Sequence, residues 1–173
     1  MDNKTKGMVM AGMMTGALIL ATLSLFGGSW ISVDDAPDDL SITLSGTESG
    51  DSGVEYSDFC DLTEDDKICS MATAGTVGTI GLWVAIVFAA LALAMMVLPM
   101  AGIDALDAIP DLVQKITLWG AGGLMLVSAL AWVIIFPELS DGEGVGMSFY
   151  MAIIAGVLGL AAPAMGMLVK ADE

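Results

Sequence analysis

The sequence predicts an all-α membrane protein, a four-transmembrane-helix bundle that carries a small extracellular antiparallel β-sheet. Two observations predict the bundle. The charged residues fall in clumps and leave four uncharged windows, Gly7–Val33, Ile68–Ile103, Ile116–Pro137 and Gly144–Val169. Each window holds the roughly 20 apolar residues that cross a bilayer core of about 30 Å. A buried helix of a soluble domain still turns one charged face to water, and these windows have none. The mean hydropathy of +0.81 agrees. In lipid every backbone amide must bond within its own segment, so the windows are helices. A third observation predicts the sheet: short stretches of period-two alternation lie between the first two windows.

In chain order, the first span covers about residues 8–29. Its apolar run, Met8 to Phe26, exceeds the usual core of a cleaved signal peptide, so it is expected to be retained despite the Lys4 and Lys6 that precede it. An outer loop over about 30–70 follows. Leu40-Ser41-Ile42-Thr43-Leu44 alternates apolar and polar, as a half-buried strand does, and Val54-Glu55-Tyr56-Ser57 alternates likewise. Between them Ser45 to Gly53 is Gly, Ser and acid, the composition of a hairpin connection. Trp30-Ile31-Ser32-Val33 continues from the first helix as a further strand, ended by Asp34 to Asp39 around Pro37.

The second span, about 72–98, closes at Pro99. Its weakly apolar start from Met71 extends the helix above the membrane. An inner loop over about 99–111 carries Asp104, Asp107 and Asp111, with Pro110 suited to a helix entry. The third span covers about 112–136, a short Gly-rich outer loop 137–146, and the fourth span 147–169. Pro163 should kink that last helix. Small residues recur where helices can approach closely: Gly12 and Gly16 in the first span, then Gly75, Gly78 and Gly81. Gly120, Gly122 and Gly123 mark the third, and Ala155-x-x-x-Gly159 and Ala162-x-x-x-Gly166 the fourth. One domain is expected throughout.

Orientation rests on lysine, since the chain has no arginine and no histidine. Lys4, Lys6, Lys115 and Lys170 flank one side, and only Lys67 lies on the other. The positive-inside rule then puts both termini in the cytoplasm of a multi-pass cell-membrane protein. Fifteen of the 21 acids fall at 34–66 and 138–143, on the outer side. Such a charge keeps a loop soluble and repels anionic lipid. It also attracts cations, for which Asp58, Asp61, Glu64, Asp65 and Asp66 are the candidate residues, although no calcium-loop pattern is present. Nucleic acid is excluded as a partner, because phosphate contact needs clustered Lys or Arg.

Cys60 and Cys69 are the only cysteines. An even pair on the oxidising side reads as a disulfide, joining the last strand to the chain entering the second span. A redox-active pair in a thiol oxidase would need a C-x-x-C and a second exchanging pair, and the chain has neither. The span centres hold no ionisable residue for ion or proton transfer. No nucleophile–His–acid set or phosphate-cradling loop exists, so no enzyme activity and no cofactor is expected. The 14 methionines read as adaptable filler at helix contacts. Trp30, Trp119, Trp132 and Tyr150 lie near span ends, as interfacial belts do, with Trp83 deeper.

A Trp directly after the first helix, then Cys60-x8-Cys69, in a large strand-bearing first outer loop, resembles the claudin and peripheral-myelin-protein superfamily, which includes the calcium-channel gamma subunits. The second half is similar too. Lys115 opens the third helix, Trp132 and Phe136-Pro137 sit at its outer end, and Gly146-Met-Ser-Phe-Tyr150 leads into a small-residue-rich fourth helix. Where that family has Gly-Leu-Trp before the first Cys, this chain has Ser57-Asp58-Phe59, and its acidic, arginine-free composition fits a prokaryotic relative.

The resemblance implies a non-enzymatic tetraspan protein that works through its outer sheet in contact, adhesion or assembly. Its partners would be the lipid bilayer and another membrane protein or a second copy. Alternatives are a cation-attracting pore-lining or channel-accessory subunit, or an accessory subunit of a membrane enzyme complex. The resemblance also gives Trp30 a role beyond that of an interfacial anchor: a wedge between the outer sheet and the helix tops.

Overall fold

The computed structural model describes residues 3–34, 40–49, 52–63, 65–103, 109–139 and 141–168. Five helices and five strands follow in the order α1 (Asn3–Phe26), β1 (Ile31–Val33), β2 (Leu40–Ile42), β3 (Gly46–Ser49), β4 (Ser52–Glu55), α2 (Tyr56–Thr63), α3 (Asp66–Val97), α4 (Asp111–Ile135), β5 (Glu143–Val145) and α5 (Met147–Leu168), with a 3-10 turn at Pro99–Ala101. The helices α1, α3, α4 and α5 are each long and apolar enough to cross a membrane. Asp35 to Asp39, Glu64, Asp104, Asp107 and Val169 lie outside the described residues.

The middle of the bundle is built on small side chains. Ala17, Ala21, Ala85, Ala89, Ala92, Ala121, Ala155 and Ala162 are buried there with Met14 and Met125. Without bulky side chains between them, backbones can approach and gain dispersion contacts that lipid tails do not replace. Helices α4 and α5 approach backbone to backbone. A Cβ at Gly122 would strike the backbone of Gly159 and Leu160 in α5, so only Gly fits. Gly81 serves the α3–α4 contact, where its missing side chain makes room for Ser128. Gly12 and Gly123 differ: nothing lies within 4 Å of a Cβ at either. Pro163 is buried within α5, whose helix runs on to Leu168.

At the end next to the sheet, larger side chains fill the core. Trp30, Ile31, Leu44, Leu82 and Trp132 form this second cluster with Ala74, Ala129 and Ala152. The sheet caps it. Its strand order is β4-β3-β2-β1-β5, antiparallel at every pairing, with Ile31 opposite both Ile42 and Val145.

Three details of the sheet end differ from the sequence expectation. The stretch 45–53 is not a connection: Gly46–Ser49 is β3, paired Gly46↔Glu55 to Ser49↔Ser52 with β4. The strand expected at Val54–Ser57 is Ser52–Glu55, and Tyr56 and Ser57 instead open helix α2. The second connection is not only a Gly-rich loop, because Glu143–Val145 pairs with β1 as the edge strand β5. Gly142, at φ 87°, makes the reversal before it, and the Gly146 amide donates to the Trp30 carbonyl at 2.7 Å.

Helix α3 begins at Asp66, six residues before the expected span. It has 32 residues, about 48 Å at 1.5 Å per residue. That exceeds a bilayer core of about 30 Å, so a helix of this length has more than a turn to spare beyond one crossing. The sheet leans on this extension. A Cβ at Gly75 would overlap the Leu44 carbonyl, and Gly78 faces the Leu44 side chain and the Trp132 ring.

Candidate functional site

The sheet end holds Trp30, Cys60, Cys69, Asp58, Asp61, Asp65 and Asp66, and its anchor is Trp30. The ring is 1% exposed. Its Nε1 donates to the Ser24 carbonyl in the last turns of α1 at 2.9 Å, folding the side chain back over its own helix end. The Ser24 hydroxyl in turn donates to the Ser148 carbonyl of α5 at 2.7 Å. The ring meets Trp132 of α4 edge-on at 5.0 Å and Phe149 of α5 at 6.1 Å, while the next residue, Ile31, starts β1. One side chain therefore touches the sources of three elements. Trp132 lies on Phe136 at 4.8 Å. Its Nε1 is buried with no partner among the described residues.

Cys60 and Cys69 form a disulfide, with Cα atoms 4.8 Å apart. The bond joins helix α2 to the first turns of α3, not the last strand to α3, because the chain between β4 and α3 is itself helical. Asp65 caps α3: its side chain accepts from the Lys67 and Ile68 amides at 2.8 and 3.3 Å. Asp66 lies in the first turn of α3 and Asp58 in the first turn of α2, where a carboxylate opposes the positive end of the helix dipole. Asp61 is exposed on α2. Among the described residues no three His, Cys, Asp or Glu are placed to hold a metal ion. Three of the acids thus have local duties at helix starts, and Glu64 lies outside the described residues.

Tyr56, not singled out from the sequence, links α2 to the sheet. Its amide donates to the Ser45 carbonyl at 2.8 Å. Burial pushes its phenol above the ordinary 10.0, partly offset by a hydrogen bond with Thr47 and reinforced by the charge of Glu143.

Three recesses of about 280, 180 and 340 Å³ run along the face of α3 beneath the sheet and α2. They adjoin along the helix as a groove, the first two sharing Ser45 and Thr79 in their walls and the last two Ser57, Ala72 and Thr76. At the lower end Phe26 and Trp83 meet edge to face at 5.5 Å. Phe26 is the last residue of α1, so Trp83 sits level with the end of that helix.

The chain matches no protein-family model and no curated protein.

Proposed function

We propose that this chain is a non-enzymatic, claudin-like integral membrane protein with both termini in the cytoplasm, acting through its outer sheet end in contact or assembly with another membrane protein. The observation that carries the reading is the surface of α2. Phe59 and Leu62, three residues apart and so on one face of the helix, are 44% and 83% exposed. Exposed apolar side chains on α1, α3, α4 and α5 are what lipid contact requires, but α2 stands on the extension of α3. There an apolar pair meets water, and on soluble surfaces such features mark interaction sites. The disulfide holds α2 in place, so docking a partner would cost little ordering entropy.

The supporting sequence features are the Trp after the first helix and the Cys pair. The lysines carry the orientation. Of the described acids expected to attract a cation, only Asp61 lines the groove along α3, while Asp58, Asp65 and Asp66 serve helix starts.

A photo-crosslinking residue placed at Leu62, activated in native membranes, tests the reading. The expected result is one defined adduct, to a membrane protein or to a second copy, that disappears in a Phe59→Ser variant whose disulfide still forms. A crosslinker that gives only lipid or solvent adducts would sink it.

A further inference from the structure

We infer that the groove along α3 is a binding site for the sugar head of a neutral glycolipid. The argument begins with where the hydroxyl hydrogens go. Thr73 and Thr76 donate theirs to the Cys69 and Ala72 carbonyls, each at 2.9 Å. Thr43 donates to the Gly46 carbonyl at 3.1 Å and Ser57 to Glu55 Oε2 at 3.3 Å. With the hydrogen committed, each hydroxyl offers the groove only lone pairs. The charged side chains that line it are Glu48, Glu55 and Asp61, acceptors when ionised, and no Lys or Arg lines any of the three recesses. Most of the polar atoms of the wall are acceptors; the Ser45 and Thr79 hydroxyls and the Trp83 indole, which also line it, can donate.

Such a wall selects for donors and against anions. A phosphate or sulfate head brings negative charge to a surface lined by three carboxylates and no Lys or Arg, where its charge finds no partner. A sugar brings several hydroxyl donors on a rigid ring and no charge. The groove runs over about 15 Å of helix from Thr73 to Trp83, at 1.5 Å per residue. That length suits a chain of sugars better than a single ammonium.

The lower end of the groove makes the ligand an amphiphile. Phe26, Ile80 and Trp83 are 66%, 59% and 48% exposed there, at the height where α1 ends. Apolar chains can lie on these three side chains while the head climbs between α3 and the sheet. A free sugar or an elongated polyamine would use the acceptors and leave the aromatic floor bare. This inference requires the chain to lie in a membrane; it does not require α2 to dock a partner, and its test does not touch α2.

The protein purified in a polyoxyethylene detergent, free of sugar heads, is offered digalactosyl diacylglycerol, phosphatidylglycerol, free galactobiose and spermidine, and adducts are counted by native mass spectrometry. Retention of the galactolipid at least tenfold above phosphatidylglycerol is expected. Trp83→Ala should lower it at least fivefold, as should Thr76→Val combined with Glu48→Gln, while Val127→Ala on the lipid-facing side of α4 leaves it unchanged. Variant folding is followed by the Cys60–Cys69 bond and the thermal midpoint. If Trp83→Ala does not fold, the polar double variant decides. Equal retention of the two lipids, retention unaffected by the groove variants, or binding of only spermidine or only galactobiose would overturn the inference.

Discussion

Trp30 and Trp132 meet edge to face with ring centroids 5.0 Å apart, yet only one of the two indole N–H groups is satisfied. Trp30 Nε1 donates to the Ser24 carbonyl; Trp132 Nε1 is buried with no partner among the described residues. The same substitution should therefore have different consequences at the two positions. Trp30→Phe removes a made bond and leaves a buried carbonyl, at a cost of about 1–3 kcal/mol. Trp132→Phe removes a donor that makes no bond, so the loss of ring area is offset and the net change stays within about 1 kcal/mol. Trp30→Ala should cost roughly 3–5 kcal/mol, the range for large core truncations. Equilibrium unfolding in mixed micelles measures all three, and equal costs for the two Phe variants would contradict the asymmetry.

The disulfide predicts a local effect. Helix α2 has eight residues, none of them fully buried and only Tyr56 and Cys60 half-buried, and it is too short to be stable alone. The Cys60–Cys69 bond closes a short loop, which contributes on the order of 2–3 kcal/mol in the chain-entropy account. Cys60→Ser with Cys69→Ser should raise hydrogen exchange over residues 56–63 while the cores of α4 and α5 keep their protection. Protection lost evenly across the chain would refute a local role.

The four long helices were legible in the sequence because lipid permits so few solutions. An uncharged window of sufficient length has to be a helix, and the helices fall where the windows do. Strands β1 and β2 were legible as well, since Ile31, Leu40 and Ile42 alternate with polar residues over a buried face. Strand β3 was not. Gly46-Thr47-Glu48-Ser49 carries no large apolar side chain and has the composition of a turn, although Gly46 itself is buried, so pairing determines it. Helix α2 hid behind Val54-Glu55-Tyr56-Ser57, whose alternation runs through a real element boundary. Strand β5 left a faint trace in Gly142-Glu143-Gly144-Val145-Gly146, where every second residue is Gly. The indole pair could be read only as two interfacial rings, because periodicity places a residue on a face and says nothing of which distant ring it meets.

Two glycines in similar helical settings should respond in opposite ways. A side chain at Gly75 would overlap the Leu44 carbonyl, whereas nothing lies within 4 Å of a Cβ at Gly12. Gly75→Val should force the sheet off α3 and cost about 1–3 kcal/mol, as overpacking does. Gly12→Ala should be neutral or stabilising by about 1 kcal/mol through helix propensity. Thermal unfolding of the two variants side by side checks the contrast, and a tolerated Gly75→Val would mean that the sheet does not rest where it is placed here.

Orientation predicts a labelling pattern. With Cys60 and Cys69 replaced, a cysteine at Ser49 should react with an impermeant thiol reagent in intact cells. One at Ala171 should react only after the membrane is opened. Equal labelling at both positions would refute the placement of the termini in the cytoplasm.

Tyr56 gives the fold a dependence on alkaline pH. Its phenol titrates above the ordinary 10.0 because burial disfavours the phenolate, and the charge of Glu143 adds to this against the opposing bond with Thr47. With the folded value raised, the unfolded chain loses this proton first. Above pH 10 the folded state therefore holds more protons than the unfolded one, and stability falls as pH rises through the folded value. Below pH 10 both states keep the proton, and the group contributes no slope. Tyr56→Phe removes the titration and with it the Thr47 bond, so at neutral pH the variant should be less stable by about 0.5–1.5 kcal/mol. The gap between the two proteins should then narrow as pH climbs past 10, because only the parent pays to keep its phenol neutral. Subtracting the two unfolding curves cancels the lysines, which titrate in the same range in both. A difference that stays constant up to about pH 11 would show that Tyr56 is not held in its neutral form by the sheet.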